Sequence, residues 1–280
     1  MNTTAALFRI TRPHNCLAAA LACMLGLYLS GGLAALGTVT SAVAAVTVAL
    51  VVAVGNISND LHDVDVDRIQ KTARPLPSGR LSRRSATAFA IVLAVAALGL
   101  GVTFDAGLAS FVLLAMGLGI AYSIWLKSTV LLGNAVVALL SASTIVFGAL
   151  AAGQLTDDAG FAAAMVFWFM FGREILKDIA DCEGDRAMHV TTVATRLGRT
   201  TSLRVLGITI VVYAAVAVLP WLLAAAPAAY LAAMCCLALV PTIAVVAWVS
   251  LRPTERVLSA ALAVTKLAWF GGLVAMVLLR

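Results

Sequence analysis

The residues best suited to chemistry lie in two acidic segments. The first reads Asn56-Ile-Ser-Asn59-Asp60-Leu-His62-Asp63-Val-Asp65-Val-Asp67, and the second Arg173-Glu174-Ile-Leu-Lys177-Asp178-Ile-Ala-Asp181-Cys-Glu183-Gly-Asp185. On a helix, Asn59, Asp63 and Asp67 fall at i, i+4 and i+8, one stripe about 12 Å long, with Asp60 beside it. Asp178, Asp181 and Asp185 follow i, i+3 and i+7, again one face. Like charges one turn apart destabilise a bare helix, and near a membrane they cost more. Two such stripes call for a shared counter-charge. A hard divalent cation supplies it. Magnesium takes oxygen ligands, keeps some waters, and is commonly held by one or two carboxylates plus substrate phosphates. Two facing acidic stripes would then grip a diphosphate through bridging magnesium ions. The competing reading is a solvated acidic face that orients a loop. One DxxxD favours neither reading; two of them, both followed by basic segments, favour the metal.

The elements that must position these acids are membrane helices. Of 280 residues, 62% are hydrophobic and 11% charged, against about 45–50% and about 25% in soluble domains. That excludes a soluble globular enzyme, a disordered chain and a disulfide scaffold. The cysteines fit the same picture: Cys16, Cys23, Cys235 and Cys236 lie in apolar runs, Cys182 stands alone, and no CxxC occurs. A bilayer core needs about 20 apolar residues per helix, and turn residues and charges cut the chain into nine such segments, near 15–36, 39–58, 85–103, 106–125, 130–152, 160–179, 202–223, 227–249 and 257–278. Residues 1–29 have the look of a signal peptide, yet eight further spans follow, and we read the segment as a retained first span. The apolar runs are too long and too little alternating for a membrane barrel.

Charge sets the orientation. The connections after spans 1, 3, 5 and 7 carry only Asp105, Asp157 and Asp158, whereas seventeen of the nineteen basic residues fall on the other side. These are Arg9, Arg12, Arg68, Lys71, Arg74, Arg80, Arg83, Arg84, Lys127, Arg173, Lys177, Arg186, Arg196, Arg199, Arg204, Arg252 and Arg256. The positive-inside rule places that side and the N-terminus in the cytoplasm and the C-terminus outside. The net charge of +6 is thus a matter of topology, and no nucleic-acid partner is expected. Ten of thirteen acids share the basic side, so both acidic segments sit at cytoplasmic helix ends.

Basic residues accompany them. Arg74-Pro75-Leu76-Pro77-Ser78-Gly79-Arg80 follows the first stripe, and its two prolines stiffen the loop that carries Arg74. Tyr122-Ser123-Ile-Trp125-Leu-Lys127 ends the fourth span, where Lys127 is either a snorkelling topology anchor or a diphosphate contact. His14, His62 and His189 show no zinc-ligand spacing. Lys266 stands inside the ninth span, and a charge there is a functional hypothesis by default.

These residues resemble the UbiA superfamily of intramembrane prenyltransferases. Asn59-Asp60-x-x-Asp63-x-x-x-Asp67 is similar to the family's NDxxDxxxD motif and Asp178-x-x-Asp181-x-x-x-Asp185 to its second. Thr11-Arg12-Pro13-His14-Asn15, Arg74-Pro-Leu-Pro-Ser-Gly79, and Tyr122-Ser-x-x-Leu-Lys127 with Gly133-Asn134 look like further signatures. The resemblance covers nearly the whole chain and implies one domain over 1–280, an all-α polytopic membrane protein with nine transmembrane helices around a central cavity under a cytoplasmic cap. It implies that Asn59, Asp63, Asp67, Asp181 and Asp185 bind magnesium and a polyprenyl diphosphate, with Asp60 and Asp178 as further metal ligands. Asp63, Asp67, Asp181 and Asp185 are the expected catalytic residues. Arg12, Asn15, Asn59, Arg74, Tyr122, Lys127 and Lys177 are expected to bind substrate.

Within the superfamily, Arg12-Pro-His-Asn-Cys16 and the segment from Gly172 to Asp185 look most like digeranylgeranylglyceryl phosphate synthases. That implies transfer of a geranylgeranyl group to geranylgeranylglyceryl phosphate. The chemistry is magnesium-assisted ionisation of an allylic diphosphate, with the carbocation shielded from water in an apolar bundle. The expected partners are a polyprenyl diphosphate donor, a lipid-like or aromatic acceptor and membrane lipids. Competing readings are an aromatic prenyltransferase, a terpene cyclase on the same scaffold, and a cation-coupled transporter, against which the placement of the acids away from the bilayer midplane argues.

Overall fold

Five of the helices begin where a short polar side chain satisfies one of the first free backbone amides. In the computed structural model, which describes residues 3–70, 72–187 and 190–280, Thr38 accepts from the Ser41 amide at 3.0 Å, Ser82 from Ser85 at 3.0 Å and Asp105 from Leu108 at 2.8 Å. Thr192 and Thr195 form a reciprocal capping box, and Thr254 accepts from Val257 at 3.3 Å. Lys71 and His189 lie outside the described residues.

The helices are α1 (Thr3–Ile10), α2 (Pro13–Gly31), α3 (Val39–His62), α4 (Val64–Gln70), α5 (Arg83–Val102), α6 (Ala106–Ile124), α7 (Leu132–Ala151), α8 (Asp157–Ala187), α9 (Val193–Leu222), α10 (Ala228–Met234), α11 (Val240–Leu251) and α12 (Glu255–Met276). A π-helical turn, Cys235–Leu239, joins α10 to α11 into one span. Among the described residues, nine helices are long and apolar enough to cross a membrane, and no strand occurs. The outward faces carry exposed Ile91, Val92, Val95, Leu113, Leu114, Val211, Leu267 and Val274, the reverse of a soluble surface and what lipid solvates without cost.

The largest differences from the hydropathy reading are at two helices. The expected sixth span, 160–179, belongs to a helix of 31 residues, and the expected seventh, 202–223, to α9, whose 30 residues include a kink at Gly198 (φ 78°, ψ 163°). Hydropathy marks where a helix leaves lipid, and backbone hydrogen bonding continues past that point. The second acidic stripe therefore rides on a helix extension.

Inside, α2 packs against α3 and α7, α7 against α8, and α8 against α9 and α12. Small residues let the backbones meet, as is usual for helices in lipid. One core joins α2, α7, α8, α9 and α12 around Ile145, Met165, Phe169, Tyr213 and Met276; another joins α2, α3, α6 and α7 around Cys23, Leu27, Val112 and Phe147. The segment with signal-peptide character is thus a central helix of the bundle. At the acidic end a smaller core gathers Ala6, Ile10, Ile57, Val64, Leu76, Leu81, Ala86 and Ala90. It fastens α1, α4 and the Pro75–Pro77 loop over that end as a cap. α1 itself was not expected from sequence, since eight residues are too few to register as a span.

Candidate active site

The first acidic segment is not one continuous helix. α3 ends at His62, Asp63 adopts φ −85° and ψ 3°, and α4 starts at Val64. The stripe survives the bend because the helical bonding pattern continues: the Asp63 amide donates to the Asn59 carbonyl at 2.9 Å and the Asp67 amide to the Asp63 carbonyl at 2.8 Å. Asp60, Asp63 and Asp67 are all buried, and buried carboxylates must be paired. The counter-charges are supplied by the protein. Arg12 bonds Asp60, Arg74 bonds both Asp60 (3.1 Å) and Asp67, and Lys127 bonds Asp63, which also accepts from Asn59 Nδ2 at 3.0 Å.

Each cation is delivered by a local device. Arg12 takes a left-handed conformation, φ 52°, at the junction of α1 and α2. That is strained for a residue with a side chain. Its neighbour Thr11 is pinned to α3 by a 2.9 Å bond from Asn56 Nδ2 to the Thr11 carbonyl, and Pro13 starts α2 with φ preset. The stiff Pro75–Pro77 loop, anchored through buried Leu76, carries Arg74. Lys127 rides on a 3₁₀ turn, Leu126–Ser128, that folds back on the start of α7. A Cβ on Gly133 would lie 2.7 Å from the Leu126 carbonyl oxygen, so only glycine permits that fold-back.

The second stripe lies on α8. Asn134, next to Gly133, donates to Asp178 at 2.9 Å. Glu174 is buried and pairs with Lys177 (3.3 Å) and Arg173 (3.4 Å). Asp181 is exposed, with no hydrogen bond or ion pair among the described residues.

Both stripes open onto one cavity of about 590 Å³. Its acidic end is lined by Asn59, Asp63, Asp67, Asp178, Asp181 and Asp185, together with Arg12, Asn15, Arg74, Tyr122, Lys127 and Lys177. Farther in, the wall is apolar and aromatic: Val48, Val51, Phe111, Met116, Phe147, Trp269 and Phe270, with Ser141, Ser143 and Thr144 on α7. The sequence expectation departs from this geometry at Asp60. It does not line the cavity; it sits behind the wall at 3% exposure, tying Arg12 to Arg74. The i+1 position beside the stripe points it into the protein. Here Asp60 bridges the two arginines behind the wall, an arrangement that suits a positioning residue. Sequence reasoning also assigned no role to Glu174, Asn134 and Arg173, all lining the cavity. Adjacency to the second motif was the available signal for Arg173 and Glu174, and the Gly133-Asn134 signature was the signal for Asn134.

Asp60→Asn keeps shape and removes the charge that holds two arginines. We expect about a 10–100-fold loss of catalytic efficiency, the usual effect of removing an outer-shell partner, with Asp63→Asn losing more. Side-by-side kinetics of the two variants check this, and equal losses would place Asp60 in the ligand set.

Among the described residues no three His, Cys, Asp or Glu side chains gather closely enough to form a metal site by themselves. The donor set nevertheless fits magnesium: hard carboxylate and amide oxygens from α3, α4 and α8 around one cavity, leaving coordination positions for water and phosphate.

A helical bundle that holds an acid-and-cation pocket above an apolar, aromatic one defines a class: multi-pass membrane enzymes that act on amphiphiles with an anionic head. The profile of the UbiA prenyltransferase family matches residues 16–275. A curated digeranylgeranylglyceryl phosphate synthase from Halobacterium salinarum is 35% identical over 235 residues, 84% of each chain. Another from Methanopyrus kandleri is 33% identical over 217 residues, covering 78% of this chain and 79% of that one. Among solved structures, one of a digeranylgeranylglyceryl phosphate synthase superposes with TM-score 0.81 at 24% identity over 99% of this chain and 98% of the other. A UbiA homolog from Archaeoglobus fulgidus bound to GPP and Mg2+ superposes with TM-score 0.73 at 17% identity, covering 97% and 99%. The chain belongs to the UbiA prenyltransferase family. It is a multi-pass membrane prenyltransferase.

Proposed function

We propose that this enzyme transfers a geranylgeranyl group from geranylgeranyl diphosphate to the free hydroxyl of geranylgeranylglyceryl phosphate, with magnesium as cofactor. The observation that carries the reading is the single cavity. Its two acidic helix ends and five accompanying cations suit a metal-bound diphosphate, and its apolar floor suits an isoprenoid chain. The curated relatives from Halobacterium salinarum and Methanopyrus kandleri support the choice of acceptor, and the GPP- and Mg2+-bound homolog supports the choice of donor class and metal.

Asn59, Asp63, Asp67, Asp178, Asp181 and Asp185 would hold magnesium, which when bound neutralises the diphosphate's charge. The rest falls to side chains of this chain. Lys127 and Arg74, here bonded to Asp63 and Asp67, stand at the cavity edge as donors for the departing diphosphate, whose charge grows in the transition state. Asn134 holds the Asp178 carboxylate in place. Phe111, Met116, Phe147 and Trp269 line the region where the allylic cation must be kept from water. The positive-inside asymmetry puts this acidic end, the N-terminus and the cap in the cytoplasm of a cell-membrane protein, with the C-terminus outside.

The test is incubation of purified protein with labelled geranylgeranyl diphosphate, with and without geranylgeranylglyceryl phosphate and aromatic acceptors, and product identification by mass spectrometry. The expected product is the double ether, formed only with the glyceryl phosphate acceptor; product without an acceptor would identify a cyclase. Chelation of magnesium should stop turnover, and added magnesium should restore it. Full activity under chelation would refute the metal requirement.

A further inference from the structure

Lys266 is a charge in the middle of α12, whose other charges, Glu255 and Arg256, lie in its first turn. With Trp269 and Phe270 at i+3 and i+4 it shares a helix face, and all three line the cavity. The start of α2, which packs against α12, adds His14 and Asn15 to the same lining. His14 stands close enough to Lys266 and Arg12 for both charges to act on its ring. Both Lys266 and His14 are exposed, so neither is packed away from the cavity they line.

The other five lysines and arginines on the cavity wall are already engaged. Arg12, Arg74 and Lys127 serve the first acidic stripe, while Arg173 and Lys177 serve Glu174. Among the described residues, Lys266 is the one cavity-lining lysine or arginine without an ion pair. An unpaired ammonium on a membrane helix is costly to keep, and an anion arriving with a ligand offsets that cost. The diphosphate end already has its own cations, so the anion to be met here is a different one.

We propose that Lys266, with His14 beside it, forms a second anion subsite that takes the phosphomonoester of the acceptor. This rests on the acceptor reading above. A phosphorylated, singly prenylated glycerol docked there would lay its chain against Trp269 and Phe270. Its free hydroxyl would then be turned toward the donor held at the acidic end. The subsite selects a phosphorylated acceptor and leaves donor binding to the acidic end.

The test compares wild type, Lys266→Met, Lys266→Arg and His14→Gln with geranylgeranylglyceryl phosphate and with its dephosphorylated analogue. Lys266→Met should raise KM for the phosphorylated acceptor about tenfold, as expected for one lost charge-assisted contact. Preference over the dephosphorylated analogue should fall by a similar factor, and KM for geranylgeranyl diphosphate should stay within about twofold. Lys266→Arg should recover most of the preference. His14→Gln, at the exposed edge, should show a smaller loss of the same kind and carries the test should Lys266→Met not fold. Direct binding of geranylgeranylglyceryl phosphate with magnesium chelated and no donor present should weaken in parallel. An unchanged preference overturns the subsite alone, as does a shift confined to donor KM. Competition by an anionic phospholipid that disappears in Lys266→Met while the preference stays intact would assign the site to a lipid headgroup instead and overturn the proposal. Wild-type protein that turns over an aromatic acceptor and not the glyceryl phosphate would overturn the underlying reading, and the subsite with it.

Discussion

Asp63→Ala and Asp181→Ala should each lower prenyl transfer by about 10³-fold or more, while the protein still inserts and purifies as a single species. The two positions test the two sides of the pocket by different physics. Asp63 is buried and bonded to Lys127 and Asn59. Its removal takes away an oxygen donor and leaves Lys127, itself one-third exposed, free to reach water, so the fold should tolerate the change. Asp181 is exposed and has no ion pair or hydrogen bond among the described residues. Truncating it should cost almost no stability, so its effect on turnover reports the reaction alone. Asp65, in the same motif segment, points outward at 73% side-chain exposure and pairs with Arg68 and Arg83. Asp65→Ala should therefore keep activity within about twofold, since exposed pairs contribute little. Transfer assays on the three variants, with melting curves as controls, decide the matter. Activity near wild type in either Asp63→Ala or Asp181→Ala at ordinary magnesium would sink the metal role.

The second large effect is structural and lies far from the acids. Where α2 crosses α7, the chains touch backbone to backbone. A Cβ on Gly26 would lie 2.0 Å from the Ile145 carbonyl oxygen, and one on Gly148 would lie 2.0 Å from that of Cys23. Backbone oxygens cannot move aside as a side-chain tip can, so Gly26→Ala or Gly148→Ala must push the helices apart. Each should cost about 1–3 kcal/mol, in the range of forced overpacking. The double variant should cost less than the sum of the two, because the first substitution has already opened the crossing. Gly99→Ala, where an added Cβ meets nothing within 4 Å, should be neutral or slightly stabilising by helix propensity. Thermal melting in detergent reads all four. The crossing helices also carry Asn15 and Asn134 into the cavity wall, so the same substitutions should lower activity below the melting range. Melting of the single variants at the wild-type temperature would refute the close crossing.

Much of this was legible in one dimension because lipid imposes a simple rule on each segment. A span must be long and apolar, and its flanking charges must sort by side. The nine apolar spans found among the described residues, the shared side of both acidic stripes, and the single α8 face bearing Asp178, Asp181 and Asp185 follow from hydropathy, charge sorting and spacing. The bend at Asp63 does not, because it depends on how α4 docks into the small core with Leu76 and Leu81. Nor does Asp60's inward direction, which is set by two arginines 48 and 14 residues away. A motif records which residue types occur, and its neighbours in space decide which of them face the ligand.

The sequence by itself determined that this chain is an all-helical membrane protein with paired oxygen-donor stripes at one end of its helices. Helix periodicity and the cost of charge in lipid are local constraints, readable wherever they act. Only the tertiary structure decided that Lys127 meets Asp63 and Arg12 meets Asp60. It also decided that Gly26 and Gly148 let two backbones touch, and that Lys266 faces a cavity rather than lipid. Those are contacts between residues dozens to more than a hundred positions apart, and they exist only once the helices have packed.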